Sequence, residues 1–171
     1  MNNEYVPRAR LVTGQQYVIF RLGETQFGVA ISHVLRIARL APIIRVPRAP
    51  HFLKGVINHH GQVVPVVDLK KRLALDSGDD YGDTARFLIV ELEAQPIGML
   101  VDAVVRISRL PDEFIEPPPE MIAQVNGVYL TGVAHHEYEK EKHLTVLLDL
   151  SQVLTVEEVA EMETWRAEND A

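Results

Sequence analysis

The chain carries one motif twice, and that repetition limits its possible folds more than any other feature. Residues 27–40 read FGVAISHVLRIARL, and residues 97–110 read IGMLVDAVVRISRL. Gly28, Val34, Arg36, Ile37, Arg39 and Leu40 recur as Gly98, Val104, Arg106, Ile107, Arg109 and Leu110. A second echo follows each copy: GVINHHGQVVPVVDLKKRL at 55–73 is answered by GVAHHEYEKEKHLTVLLDLSQVL at 132–154. Both segments open with Gly-Val, turn, run through apolar residues into Asp-Leu, and close on a Leu. Motifs repeated in the same order imply two half-domains of similar topology. The duplication predicts a two-lobed body with a seam where a partner can bind.

The division expected is a loose tail over residues 1–14, a two-lobed unit over 15–155, and an acidic helix and tail over 156–171. Lobe one spans about 15–80 and lobe two about 81–155. The acidic, glycine-containing stretch Asp76–Thr84 has little to bury and reads as the link between lobes. With 171 residues, of which 47% are hydrophobic and only 6% aromatic, the core must be aliphatic. The chain has no cysteine, which rules out a disulfide scaffold, a thiol nucleophile and cysteine-ligated metal, and fits a reducing compartment. No signal-like or membrane-length apolar run occurs, so a cytoplasmic protein without membrane insertion is expected.

Net charge is −7, but it is unevenly spread. From Thr25 to Val67 there is no acid, while Arg36, Arg39, Arg45, Arg48 and Lys54 all fall there. A basic stretch in an acidic protein points to an acidic protein partner. Nucleic-acid binders add interleaved aromatics or Gly-rich basic loops, and this chain has neither.

Short apolar runs broken by turn residues predict strands at Tyr17–Leu22, Phe27–Ile31, Val34–Leu40, Ile43–Val46, Arg86–Glu93, Ile97–Val101 and Val104–Leu110. Gly55–Val67 reads as a hairpin turning at Asn58-His59-His60-Gly61, with Pro65 marking an edge or a bulge. Val128–Ala134 and Leu144–Leu148 read as its counterpart, with a turn four residues longer. Asp68 and Asp149 stand where strand becomes helix and are expected to be helix caps. Val156–Trp165 reads as a terminal helix. Many short strands with proline-rich connections predict small closed barrels, a mainly all-β fold.

Catalytic signatures are missing. The seven histidines include the pairs His59-His60 and His135-His136 at matching places in the repeats. Strand neighbours point to opposite faces, so a pair chelates one metal poorly, and no HExxH spacing is present. No phosphate-cradling glycine loop and no Gly-x-Ser-x-Gly elbow occurs. A binding module without metal or cofactor is the reading that follows. Its rival in another class is a small metalloenzyme using His59, His60, His135 and His136.

FRLGETQFGVAISHVLRI, IIRVPRAPHFLKGVINHHGQVVPVVDL, IGMLVDAVVRI and YLTGVAHHEYEKEKHLTVLLDLSQVL resemble the CheW family of chemosensory coupling proteins over Tyr17–Leu154. The most specific piece is F-x-KGVIN-x-x-G-x-x-VPVVDL. The resemblance implies two packed five-stranded β-barrels and a non-enzymatic adaptor. Its partners would be the regulatory domain of a CheA-type histidine kinase, met by lobe one, and the cytoplasmic tip of chemoreceptors. It also implies a receptor groove between lobes, assigned here to Val34, Arg36, Ile37, Asn58, His60, Gly61, Val101, Val104 and Ile107. Where the family has a glutamate and an arginine of opposite charge, this chain has Arg36 and His60. That departure opens the reading of a chemosensory system controlling pili or surface motility rather than swimming. An alternative keeps the fold but binds kinase alone, competing with a standard adaptor.

Overall fold

In a computed structural model that describes residues 14–75, 81–120, 124–125 and 128–169, β-strands make up more than half of the described residues. The expected tail, Gly14 excepted, and residues 76–80 of the expected link lie outside the described residues. In the first half, β1 (Gln15–Leu22) and β2 (Thr25–Ala30) form a hairpin, and β3 (Val34–Arg39) follows a single 3₁₀ turn. A second hairpin, β4 (Leu53–His59) and β5 (Gln62–Asp68), ends in one helical turn, α1 (Leu69–Arg72). The second half repeats this with β6 (Arg86–Leu92), β7 (Gln95–Val101) and β8 (Ala103–Leu110). Two short strands, β9 (Ile115–Glu116) and β10 (Gln124–Val125), precede the long hairpin β11 (Val128–Tyr138) and β12 (Glu141–Asp149). Helix α2 (Val156–Asn169) closes the chain.

The strands form two sheets, and neither belongs to one half. The larger runs β10-β11-β12-β2-β1-β8, with β9 beside β11; the smaller runs β3-β6-β7-β5-β4. Each half therefore donates its leading hairpin to the other. β1–β2 sits between β8 and β12, and β6–β7 sits between β3 and β5. Two parallel ladders seal the exchange, with Gly28 opposite Leu147 and Gly98 opposite Val66. The expected lobes at 15–80 and 81–155 are corrected accordingly: they are halves of the chain, not of the structure. Among the described residues no ladder closes either sheet, so open seven- and five-stranded sheets replace the closed five-stranded barrels expected.

Strand alternation divides the apolar residues among three cores. Val18, Phe20 and Leu22 of β1 meet Leu88, Val90, Ile97, Met99 and Val101 of β6 and β7 in a core between the sheets. Ile19, on β1's other face, joins Leu110, Ala134 and Leu147. Phe87, Ile89 and Leu100 face away from the shared core and pack with Ile57, Val64 and Val66. Because both faces of these strands are buried, they read as continuous apolar runs. Helix α2 adds Met162 and Trp165 to the shared core. Thr155 and Glu158 start it with a reciprocal cap: Thr155 Oγ1 accepts from the Glu158 N–H and Glu158 Oε1 accepts from the Thr155 N–H.

Three local expectations are corrected. Ile43–Val46 is no strand; only Ile44 bridges, exchanging backbone bonds of 2.8 and 2.9 Å with Val56. The second hairpin is longer in its strands rather than its turn, which is Glu139-Lys140 alone. Pro65 lies in an interior strand, paired with Val56 just before the β5–β7 ladder begins at Val66.

The repeated Gly-Val has a steric cause. A Cβ on Gly55 would lie 2.5 Å from the Ile44 carbonyl oxygen, and one on Gly132 2.7 Å from Ile115 Cγ2. Each glycine adjoins a register shift, and each is crossed by the segment that follows an edge strand.

Candidate functional site

The first motif of the repeat, at 27–40 and 97–110, ends in two bulged edge strands. Along β3, Val34 faces Val90 and Arg36 faces Ile89, so Leu35 is skipped. Along β8, Val104 faces Phe20 and Arg106 faces Ile19, so Val105 is skipped. Bulges on edge strands twist the edge and hinder open-ended pairing. They also turn apolar groups to solvent: Leu35 is 57% exposed and Val105 39%. Ile37 (38% exposed) and Ile107 (49%) stand opposite Leu88 and Val18, on the faces that carry the inter-sheet core. Val34 and Val104 are half-buried against that same core. Each edge thus presents an apolar stripe rooted in the core and open at its outer end.

The expected groove residues divide into three groups. Val34, Arg36, Ile37, Val104 and Ile107 line these edges. Val101 does not: it is 0% exposed, within the shared core, so its assignment to the groove is corrected to core. Asn58, His60 and Gly61 belong to the β4–β5 turn, where Asn58 Oδ1 accepts from the Gly61 N–H at 2.9 Å. His60 (φ 54°) and Gly61 (φ 80°) both adopt the left-handed conformation that a two-residue hairpin turn requires. The turn brings His60 to the far edge of the same sheet, where Arg36 Nη1 lies 3.2 Å from His60 Nε2.

His59, at the end of β4, stacks edge-to-face on His60 with ring centroids 4.3 Å apart. Its imidazole is held below the usual histidine range, first by burial and then by His60 and Arg36. The other histidine pair is elsewhere. His135 is in β11 of the larger sheet, bonded to Glu116 of β9. The side chain of His136 lies outside the described residues. Among the described residues no three His, Asp or Glu side chains converge in a metal-binding arrangement.

Asp68 stands at the start of α1, and its Oδ1 accepts from the Lys71 N–H at 3.3 Å. Asp149 accepts from the Ser151 N–H at 2.9 Å, at the start of a 3₁₀ turn. Asp68 does more than cap: it also accepts from the Tyr81 hydroxyl at 2.6 Å and pairs with Lys54 at 3.6 Å. Sequence reasoning missed the neighbouring buried pair. Lys70 Nζ donates to Asp102 Oδ1 at 3.1 Å and lies 4.0 Å from the Tyr81 ring centre. Asp102 Oδ2 accepts from the Gly23 N–H at 2.7 Å. The network therefore joins α1 on the smaller sheet to the β1–β2 turn of the larger. The one signal was negative: Asp102 interrupts the repeat, where the first copy has Ser32.

Comparisons with known proteins agree with this architecture. The chain is 31% identical to the "Chemotaxis protein CheW" of Klebsiella aerogenes, covering 86% of each chain. It is 32% identical to "Protein FrzA" of Myxococcus xanthus, over 82% of this chain and 85% of that one. The crystal structure of the scaffolding protein TtCheW from Thermoanaerobacter tengcongensis superposes with a TM-score of 0.72 at 28% identity, covering 84% of this chain and 94% of that one. Residues 16–158 match the CheW-like domain as a family. With its duplicated edges, exchanged hairpins and that match over most of its length, the chain belongs to the CheW-like domain family.

Proposed function

We propose that this chain is a non-enzymatic adaptor of chemosensory signalling, working in the cytoplasm to couple a CheA-type histidine kinase to the cytoplasmic tip of chemoreceptors. The observation that carries the reading is the pair of bulged edge strands with exposed apolar stripes at Leu35–Ile37 and Val105–Ile107. A helix docks through apolar anchors with polar groups at the rim, and Val34, Ile37, Val104 and Ile107 supply such anchors here. Family membership and similarity to the scaffolding protein TtCheW support the same role. The polar rim would come from Arg36, Asn58 and His60.

The test uses receptor cytoplasmic fragments and the CheA-type kinase from the same organism. Ile37→Glu and Ile107→Glu, both at exposed positions, should abolish co-sedimentation with receptor while the fold and kinase binding survive. Val104→Glu should do the same at greater cost to stability, because Val104 is half-buried. Unchanged receptor binding in all three variants would refute the assignment.

A further inference from the structure

A cluster of basic side chains bridges the two edges of the smaller sheet. β3 and β4 stand at opposite ends of its strand order, yet Arg36 Nη1 and His60 Nε2 are 3.2 Å apart. A guanidinium only donates, so this bond exists only while His60 Nε2 carries no proton. His59 lies against His60 in turn. Across the ladders, Arg36 faces Ile89 and His59 faces Gln62, both uncharged. The nearest acid along β6 is Glu91, two positions beyond Ile89 and opposite Pro96. The acid-free run from Thr25 to Val67 spans β2 through most of β5, with Arg39 as the other charge on β3. The charged neighbours that shift His59 are Arg36 and His60, and both act against its protonation.

We propose that Arg36, His59 and His60 form a site for one carboxylate of the docked partner, an Asp or Glu side chain on a helix lying along the free edge of β3. The proposal rests on the reading of β3 as a partner-binding edge. The incoming carboxylate takes the guanidinium donors, His60 releases Arg36 and donates a ring N–H to the same carboxylate, and one acceptor then serves both groups. Leu35 and Ile37 on the same edge receive apolar side chains of the same helix. Partner and site therefore match as an acidic residue beside an apolar stripe. Because a carboxylate favours the charged form of a neighbouring imidazole, affinity rises as pH falls, while the partner's carboxylate stays ionised down to about 4.3.

The probe is a pair of synthetic helical peptides with an apolar stripe, identical except for one Glu or Gln beside it. Titration calorimetry on the full chain at about pH 6 and about pH 8 brackets the imidazole range. Exposed charge pairs are individually weak, so the Glu peptide should bind about three- to tenfold tighter at the lower pH. The Gln peptide should show no such change. Arg36→Gln and His60→Gln should each erase the difference and leave residual binding. Equal behaviour of the twins, a pH dependence that survives His60→Gln, or binding of neither peptide would overturn the proposal. Ile37→Glu separates the two readings. If it abolishes binding of twins that were never distinguishable, the edge docks a helix and the carboxylate site fails. If it leaves both affinities intact while the Glu peptide keeps its pH dependence, the carboxylate site stands and the apolar edge fails.

Discussion

Replacing Asp102 with Ala should destabilise the fold by about 3–5 kcal/mol, because it leaves a buried ammonium without its counter-ion. Lys70 is 2% exposed and Asp102 9%. Among the described residues the Lys70 ammonium has one carboxylate within reach, at 3.1 Å, and the Tyr81 ring at 4.0 Å, which does not neutralise it. The substitution also orphans the Gly23 N–H, now bonded at 2.7 Å, a loss of about 1–3 kcal/mol within that total. Urea unfolding can be followed by the single tryptophan, Trp165, which is 8% exposed in the shared core. Thermal unfolding should shift down by about 6–20 °C, at about 2–4 °C per kcal/mol for a chain of this size. The double change Lys70→Met with Asp102→Leu removes both charges and should be less destabilised than Asp102→Ala alone. A single-variant loss below about 1 kcal/mol would place the pair in the class of solvated surface bridges. Additive single and double changes would show that the two groups are not coupled. Either result would refute the claim that this pair ties the sheets together.

The exchanged hairpins make a second prediction. Residues 1–80 and 81–171 should each be unfolded alone by circular dichroism and should recover β-structure when mixed, since both sheets need strands from both halves. A folded 1–80 fragment would refute the topology. Gly55→Ala should destabilise by about 2 kcal/mol or more, since its Cβ would meet the Ile44 carbonyl, whereas Gly98→Ala, with no neighbour nearer than 3.6 Å, should be near neutral. Equal urea midpoints for the two variants would contradict the close crossing of Ile44 over Gly55. Burial pulls the Glu158 carboxyl upward, but the bidentate Arg72 bonds and the Thr155 N–H outweigh it and hold it below the usual range. A depressed folded-state value adds stability above the ordinary glutamate range and loses it as pH falls through the folded value. Glu158→Gln should therefore flatten the acid side of the stability profile below about pH 4.3, and an unchanged profile would assign acid sensitivity elsewhere.

Strand positions and most turns were legible because period-two alternation and left-handed turn residues are local signals. Partner choice was not. Val18, Phe20 and Leu22 bury one face of β1 and Ile19 the other. That pattern states only that both faces are covered, and a hairpin from either half could supply the cover. Two copies with nearly the same edge pattern pair equally well with themselves or with each other. The parallel ladders decide it, and their registers at Gly28–Leu147 and Gly98–Val66 join positions more than 30 residues apart in one case and more than 100 in the other. The second hairpin turn misled for a local reason. Glu139-Lys140 has positive φ at both positions without glycine or asparagine, so no turn residue marked the spot.

The same limit explains the site. The pairing of Val34 with Val104 and of Ile37 with Ile107 is a sequence fact that became two matching bulged edges. Val101 differs from the anchors only in place, since its apolar, β-branched character is equally that of an anchor and of a core residue; its position in β7, two strands in from the β3 edge, buries it. Arg36 and His60 were joined beforehand only by resemblance, since 24 residues and the whole width of a sheet separate them. Curling of the smaller sheet brings them together, and with them a basic cluster that no linear reading contains. The acid-free run matters for that reason. Spread along an extended chain its basic groups would be dilute, but β3 and the β4–β5 hairpin bring Arg36, His59 and His60 together. That edge also carries Leu35 and Ile37, so a partner that buries the apolar pair must bring its own negative charge to within reach of Arg36.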